Sequence, residues 1–288
     1  MTELSKAARK RIDALARDHA ELAPWLRLLE EALAAMKDRA WSEPLSNLSA
    51  PSEGQAPLLA NLKIPVDGVA AQALARKLLS LASGSGSLES DRLGAQEALA
   101  LLEATINQDE DPARAVAEAI GVGPAALGPV ASLAAMPVLH ACRERLGGPE
   151  LKSSFGYCPV CAAWPAFSEL RGLERTRVLR CGRCGAGWKA EPIHCIYCGE
   201  RDHERLGALV PEERAEARRV DVCKACGGYL KAVATLGAIA PDAVALEDLA
   251  TVDLDLAALD RGYARPDRPP VTLSTRLVAA PVCEPASP

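Results

Sequence analysis

Four Cys-x-x-Cys pairs follow one another in this 288-residue chain: Cys158/Cys161, Cys181/Cys184, Cys195/Cys198 and Cys223/Cys226. They take up eight of its ten cysteines. Two cysteines on a tight turn aim both sulfurs at one point, and two such turns complete a tetrahedral four-sulfur shell around zinc or iron. Eight sulfurs therefore read as two sites. The gaps suggest how the pairs are shared, because 162–180 and 199–222 are long enough for strands that bring the next turn back, whereas 185–194 is short. Sequential pairing, 158/161 with 181/184 and 195/198 with 223/226, gives two similar modules in tandem. A cross-brace, with the first pair joined to the third and the second to the fourth, stays open at this level.

Other chemistries of the same residues are weaker. A thioredoxin-like dithiol wants a strand before the pair and a helix after it. Three of the pairs are followed instead by glycine (Gly185, Gly199, Gly227), which allows a left-handed turn of the backbone toward the sulfurs; Ala162 takes that place after the first pair. Structural disulfides belong to oxidising compartments, and the opening Met-Thr-Glu-Leu-Ser-Lys lacks a basic-then-apolar signal segment, so a cytoplasmic location is expected. His194 and His203 flank the third pair, but eight cysteines already fill two shells, and neither histidine is expected as a ligand. A closed four-thiolate shell leaves no position for water or substrate. No glycine-rich phosphate loop or nucleophile–base set accompanies it.

The elements that must position these sulfurs follow from hydrophobic spacing. Leu4, Ala8, Ile12 and Leu15, then Leu22, Trp25, Leu26, Leu29, Leu33 and Met36, predict two helices over 4–38 with a break near His19 and Pro24 in the second helix's first turn. Prolines 44, 51, 57 and 65 predict a long connection over 42–68. Further helices are expected over 69–83, 93–106, from about Pro112 with Asp111 as cap, and over 124–146, whose smooth apolar surface suits the centre of a bundle despite Pro129 and Pro137. Cys142 reads as a small buried apolar residue. Gly147-Gly148-Pro149 marks the end of a helical domain, 1–149. It is followed by a first cysteine module (150–193), a second (194–240), an acidic amphipathic helix (241–265) and a Pro-rich tail (266–288) expected to be poorly ordered, with Cys283 a free thiol. A strand is expected over 233–239.

Composition narrows the function classes. A net charge of −5 argues against a general nucleic-acid surface, although Arg171, Arg175, Arg177, Arg180, Arg183 and Lys189 make the first module locally basic. The longest membrane-span candidate, 122–139, is interrupted by Gly123, Pro124, Gly128, Pro129 and Pro137, so no membrane insertion is expected. Of the ten aromatic residues, Phe155, Tyr157, Trp164, Phe167, Trp188, Tyr197 and Tyr229 lie within the cysteine region, where a small module needs bulk around its metal.

The motifs Tyr157-Cys-Pro-Val-Cys161, Cys181-Gly-Arg-Cys184-Gly, His194-Cys-Ile-Tyr-Cys198-Gly and Cys223-Lys-Ala-Cys226-Gly-Gly-Tyr229-Leu-Lys231, followed by Leu246–Leu256 and Gly262-Tyr-Ala-Arg265, resemble the formate dehydrogenase accessory protein family, FdhE. The resemblance is dense in the C-terminal half and one of general architecture in the N-terminal half. It implies a cytoplasmic maturation factor that is not itself an enzyme. Such a factor associates with the catalytic subunit of a molybdenum-containing formate dehydrogenase and is implied to act on it by redox chemistry. It also implies rubredoxin-like sites holding two iron ions per chain, zinc being the alternative, on Cys158, Cys161, Cys181, Cys184, Cys195, Cys198, Cys223 and Cys226. The expected fold class is α+β: an all-α N-terminal domain, two tandem β-rich rubredoxin-like or zinc-ribbon-like modules, and a C-terminal helix. A zinc-ribbon nucleic-acid-binding protein is the alternative function.

Overall fold

The computed structural model describes residues 4, 6–49, 51, 56–83, 91–147, 151, 153–211 and 217–280. Helices α1 (Lys6–Asp18) and α2 (Ala23–Ala35) flank a single 3-10 turn after His19, and Pro24 sits in the first turn of α2, where its missing N–H costs nothing. Their apolar stripes, Ile12, Leu15, Leu26, Leu29 and Leu33, close on Met136 of a later helix and on Leu246 and Ala250 near the C-terminus. Helices α3 (Gly68–Ser83), α4 (Ala95–Asn107) and α5 (Glu110–Ile120) surround α6 (Pro124–Leu146). α6 buries Leu127, Val130, Ala134, Val138, Leu139 and Cys142 as its unbroken apolar surface requires. Asp109, rather than Asp111, caps α5, accepting from the Asp111 N–H at 3.3 Å. The glycine–proline boundary at 148–149 and Cys283 lie outside the described residues.

Two proline-punctuated stretches are better built than their composition suggests. Two short 3-10 turns, Arg39–Trp41 and Glu43–Asn47, precede strand β1 (Lys63–Val66), and within 42–68 Leu45, Leu59, Ile64 and Val66 are buried in the main core. The expected poorly ordered tail is corrected over 266–280: it returns across the helical domain and ends in β8 (Arg276–Ala279), parallel to β1 from Lys63↔Arg276 to Val66↔Ala279. Asn107 clamps the return by a reciprocal pair of bonds with Thr275 at 2.8 and 2.9 Å, and the Thr275 hydroxyl donates to the Leu59 carbonyl at 2.7 Å.

The cysteine region folds on strands β2 (Phe167–Arg171), β3 (Thr176–Arg180), β4 (Gly187–Lys189), β5 (Leu206–Leu209), β6 (Arg218–Cys223) and β7 (Tyr229–Thr235). They form one six-stranded sheet in the order β4-β3-β2-β7-β6-β5. The two modules thus share a sheet, joined by parallel pairing of β2 with β7 from Phe167↔Lys231 to Arg171↔Thr235. All four cysteine turns emerge at one end of it, the end where Phe167 opposes Arg180 and Leu206 opposes Cys223. The strand expected over 233–239 begins earlier, at Tyr229, and stops at Thr235.

The acidic C-terminal segment is two helices instead of one, α7 (Val244–Leu249) and α8 (Val252–Leu259). At the break the Thr251 hydroxyl donates to the carbonyls of Glu247 and Asp248, competing with continued helix. The bend lets the segment serve both halves. α7 packs on α1 and α2, while α8 lays Leu254 and Ala258 on Val220, Val222 and Tyr229. No helix among the described residues is long and apolar enough to cross a membrane.

Candidate metal centres

Each Cys-x-x-Cys pair is held by the same two backbone hydrogen bonds. The residue four after the first cysteine donates to that cysteine's carbonyl at 2.9–3.0 Å, and the cysteine's own N–H donates to the carbonyl five residues on at 2.8–2.9 Å. Closing this turn requires a left-handed residue after the second cysteine, and Gly185, Gly199 and Gly227 have φ of 71°, 79° and 69°. Ala162 adopts φ 57° in the same position, so the first turn keeps its geometry at the expense of local strain.

The sulfurs gather in the sequential pairing. Cys158, Cys161, Cys181 and Cys184 form one group and Cys195, Cys198, Cys223 and Cys226 the other, with all four Sγ atoms of each group within 4.8 Å of one another. The closest approaches are 3.5 Å for Cys158–Cys184 and Cys161–Cys181, 3.7 Å for Cys195–Cys226 and 3.8 Å for Cys198–Cys223. A tetrahedron with metal–sulfur bonds of about 2.3 Å has sulfur–sulfur edges of about 3.8 Å, so both groups are sized for a four-thiolate ion. Nothing in that geometry separates iron from zinc. His194 and His203 line a pocket beside the second group rather than joining it.

The surroundings of the two groups differ. All four cysteines of the first are fully buried, in the same apolar cluster as α3, α4 and α6. The Leu58 and Leu59 N–H groups donate to the Pro159 and Val160 carbonyls, Arg183 donates to the Thr105 carbonyl of α4, and an added Cβ at Gly185 would fall 2.6 Å from the Pro241 carbonyl oxygen. In the second group Cys195 and Cys223 are buried while Cys198 and Cys226 are exposed. Without an ion, hydrogen bonds from Cys158, Cys181 and Cys184 hold the Cys161 thiol well below its ordinary value, whereas burial pushes Cys158 and Cys184 well above theirs. A cation at the centre of the four sulfurs would stabilise their thiolate forms. Nearby, burial lowers His140 to about 3 and raises Cys142 to about 12, so both are neutral.

Two buried ionic networks, which the spacing of residues gave no means to find, stabilise the sheet that carries the turns. Glu169, fully buried on β2, accepts from Arg180 at 2.7 Å, Arg171 at 3.0 Å, the Thr235 hydroxyl and the Ile239 N–H. Burial alone would raise its pKa, but the bonds from Arg171, Ile239 and Arg180 prevail and leave it below the usual carboxylate value. Lys231, fully buried on β7, donates to Asp255 at 2.6 Å and to the Asp248 carbonyl at 2.8 Å; Asp255 also accepts from Tyr229 and Arg265. The only hint in sequence was a lysine between Leu230 and Ala232 followed by an acidic helix. Of the residues that made the first module look basic, Arg177 and Arg180 are internal, 5% and 3% exposed and bound to carbonyls and Glu169, whereas Arg175 and Lys189 are exposed.

An aromatic ladder links the two centres, Tyr157 against Trp164 at 6.5 Å and Trp164 edge-on to Tyr197 at 5.0 Å. Gly156 permits the contact, since a Cβ there would fall 1.9 Å from the Ile196 carbonyl oxygen. Two four-cysteine groups on one sheet, docked on a helical bundle through the buried one, define a protein with two candidate metal centres.

Comparison with known proteins narrows this class. Residues 193–271 match the model of the family described as "FdhE, C-terminal domain". The chain is 29% identical to the protein FdhE homolog of Aquifex aeolicus over 46% of this chain and 47% of that protein. It is 36% identical to the homolog of Stutzerimonas stutzeri over 38% of this chain and 35% of that protein. These matches span about half or less of the relatives' length. The fold as a whole is similar to the crystal structure of the FdhE protein from Pseudomonas aeruginosa, with a TM-score of 0.50 and 22% identity over 93% of this chain and 94% of that one. Residues 193–271 thus resemble an FdhE C-terminal domain, and the chain as a whole shares the fold of an FdhE protein.

Proposed function

We propose that the chain is an accessory factor for the maturation of a molybdenum-containing formate dehydrogenase, binding its catalytic subunit and not itself an enzyme. The observation that carries this reading is the pair of closed four-cysteine groups set at one end of a single sheet, in a chain whose residues 193–271 match the FdhE C-terminal domain. The ligands are Cys158, Cys161, Cys181 and Cys184 in one centre and Cys195, Cys198, Cys223 and Cys226 in the other, holding iron, with zinc as the alternative. Iron would supply one-electron chemistry; either metal would fix the turns. The protein's own contribution is then a rigid surface at the metal end of the sheet, in the cytoplasm, presented to the immature subunit.

Internal use of Arg177, Arg180 and Arg183 favours this reading over a nucleic-acid interface. Co-purification of the full chain with the catalytic subunit, dependent on intact cysteine turns, is the expected result. Failure to recover that subunit, together with salt-sensitive nucleic-acid binding, would contradict it.

A further inference from the structure

The two cysteine modules repeat by translation across the sheet. Each runs turn, strand, strand, turn, strand, with β2, β3 and β4 in the first and β5, β6 and β7 in the second. Across the sheet the order is therefore third, second, first, then third, second, first. At the junction, the outer edge of the first module's first strand, β2, is filled by a parallel strand, β7. The equivalent edge in the second module belongs to β5, and among the described residues no strand pairs with it. The far edge of the sheet is closed by other means, since Leu151 makes a parallel bridge to Trp188 of β4.

The edge of β5 is chemically open. Lys224 donates to the Arg205 carbonyl at 2.8 Å, and alternation along the antiparallel ladder then turns Gly207 and Leu209 toward β6 and the N–H and C=O of Ala208 outward. The run Leu206-Gly-Ala-Leu-Val210 carries no charge, whereas exposed edges are ordinarily blunted by charged side chains, bulges or a covering element. Beside it lies a pocket of about 300 Å³, walled by Leu206, Ala208, Ile193, Arg177, Arg219 and Asp221. There, among the described residues, one carboxylate serves two guanidinium groups. Asp221 accepts from Arg219 at 2.8 Å and lies 3.7 Å from Arg177, whose Nε is buried without a hydrogen-bond partner.

We propose that the outer edge of β5 is a docking site for an extended segment of a partner protein, which joins the sheet parallel to β5 and directs an acidic side chain toward Arg177 and Arg219. The β2–β7 junction is the chain's own example of the pairing, and the positive charge of Arg177 and Arg219, which share Asp221 among the described residues, selects the side chain. Two copies meeting β5 to β5 about an axis normal to the sheet would pair antiparallel, unlike that junction. The proposal does not depend on which client the protein serves.

A random peptide library displayed on phage and selected against the full-length, metal-loaded protein tests it without any formate dehydrogenase. Selected peptides should combine an extended apolar pattern with an acidic residue and slow amide hydrogen exchange over 206–210. They should bind at least tenfold more weakly to Ala208→Pro, which removes the outward N–H, and Arg219→Gln should erase the acidic preference. The exchange measurement on the unaltered protein decides the matter if Ala208→Pro does not fold. No enriched peptide, equal binding to both variants, or protection of another segment would overturn the proposal. A concentration-dependent dimer abolished by Ala208→Pro would overturn it too, assigning the edge to a second copy.

Discussion

The two cysteine groups share one local chemistry and differ in everything around it. The same pair of backbone bonds builds all four turns, yet the first group is sealed between the sheet and the helical bundle while two cysteines of the second are exposed. The contrast separates what a Cys-x-x-Cys turn encodes from what its neighbours decide. A sealed centre is part of the core that joins the two halves, and its loss removes packing as well as a metal. An exposed centre holds only its own turns and is open to reagents and partners.

The largest expected effect breaks the sealed centre. Cys181→Ser should abolish cooperative folding of the whole chain, read by calorimetry and circular dichroism, because an unfilled shell there leaves buried thiols and a disrupted core. Cys223→Ser should instead lower the metal content from two ions to one while the helical signal persists. Two ions retained in that variant would refute the ligand assignment.

Next in size is Glu169→Gln, which leaves Arg180 and Arg171 facing a neutral group and should cost about 3–5 kcal/mol at pH 7 in denaturant unfolding. The native carboxyl titrates below the ordinary value of 4.5, so its contribution is complete above that pH and is lost as pH falls through the native pKa. The gap between the two proteins should therefore narrow in acid. A gap that stays constant down to pH 3 would mean that the glutamate's charge is not what the arginines need. The smallest effect is expected at Ala162→Gly, where relief of a left-handed alanine and the greater freedom of the unfolded glycine nearly cancel, leaving a change within about 1 kcal/mol.

What could be read from the residues followed their range of interaction. The turns were legible because cysteine spacing and the glycines after them are local, and the helices because Leu, Ala and Val recur at helical spacing. Long-range pairing was not. Nothing near Phe167 announces Lys231 as its neighbour, and nothing near Lys63 announces Arg276, so both β1 and β8 were hidden in proline-rich sequence. The single acidic helix failed at Thr251 because a hydroxyl that could have faced water returns to the backbone, and the bend is then used by Arg218, which reaches the Ala250 carbonyl. The sealed-versus-exposed difference between the centres was equally invisible, since it depends on which of the two modules meets the bundle.

Metal release from the unaltered protein tests that difference most directly. With excess chelator and iodoacetamide under native conditions, one ion should leave first, with alkylation appearing at Cys198 and Cys226, and the second should leave only as the chain unfolds. Loss of both ions at one rate, or early alkylation at Cys158, Cys161, Cys181 or Cys184, would contradict the division of the two centres into one sealed and one open.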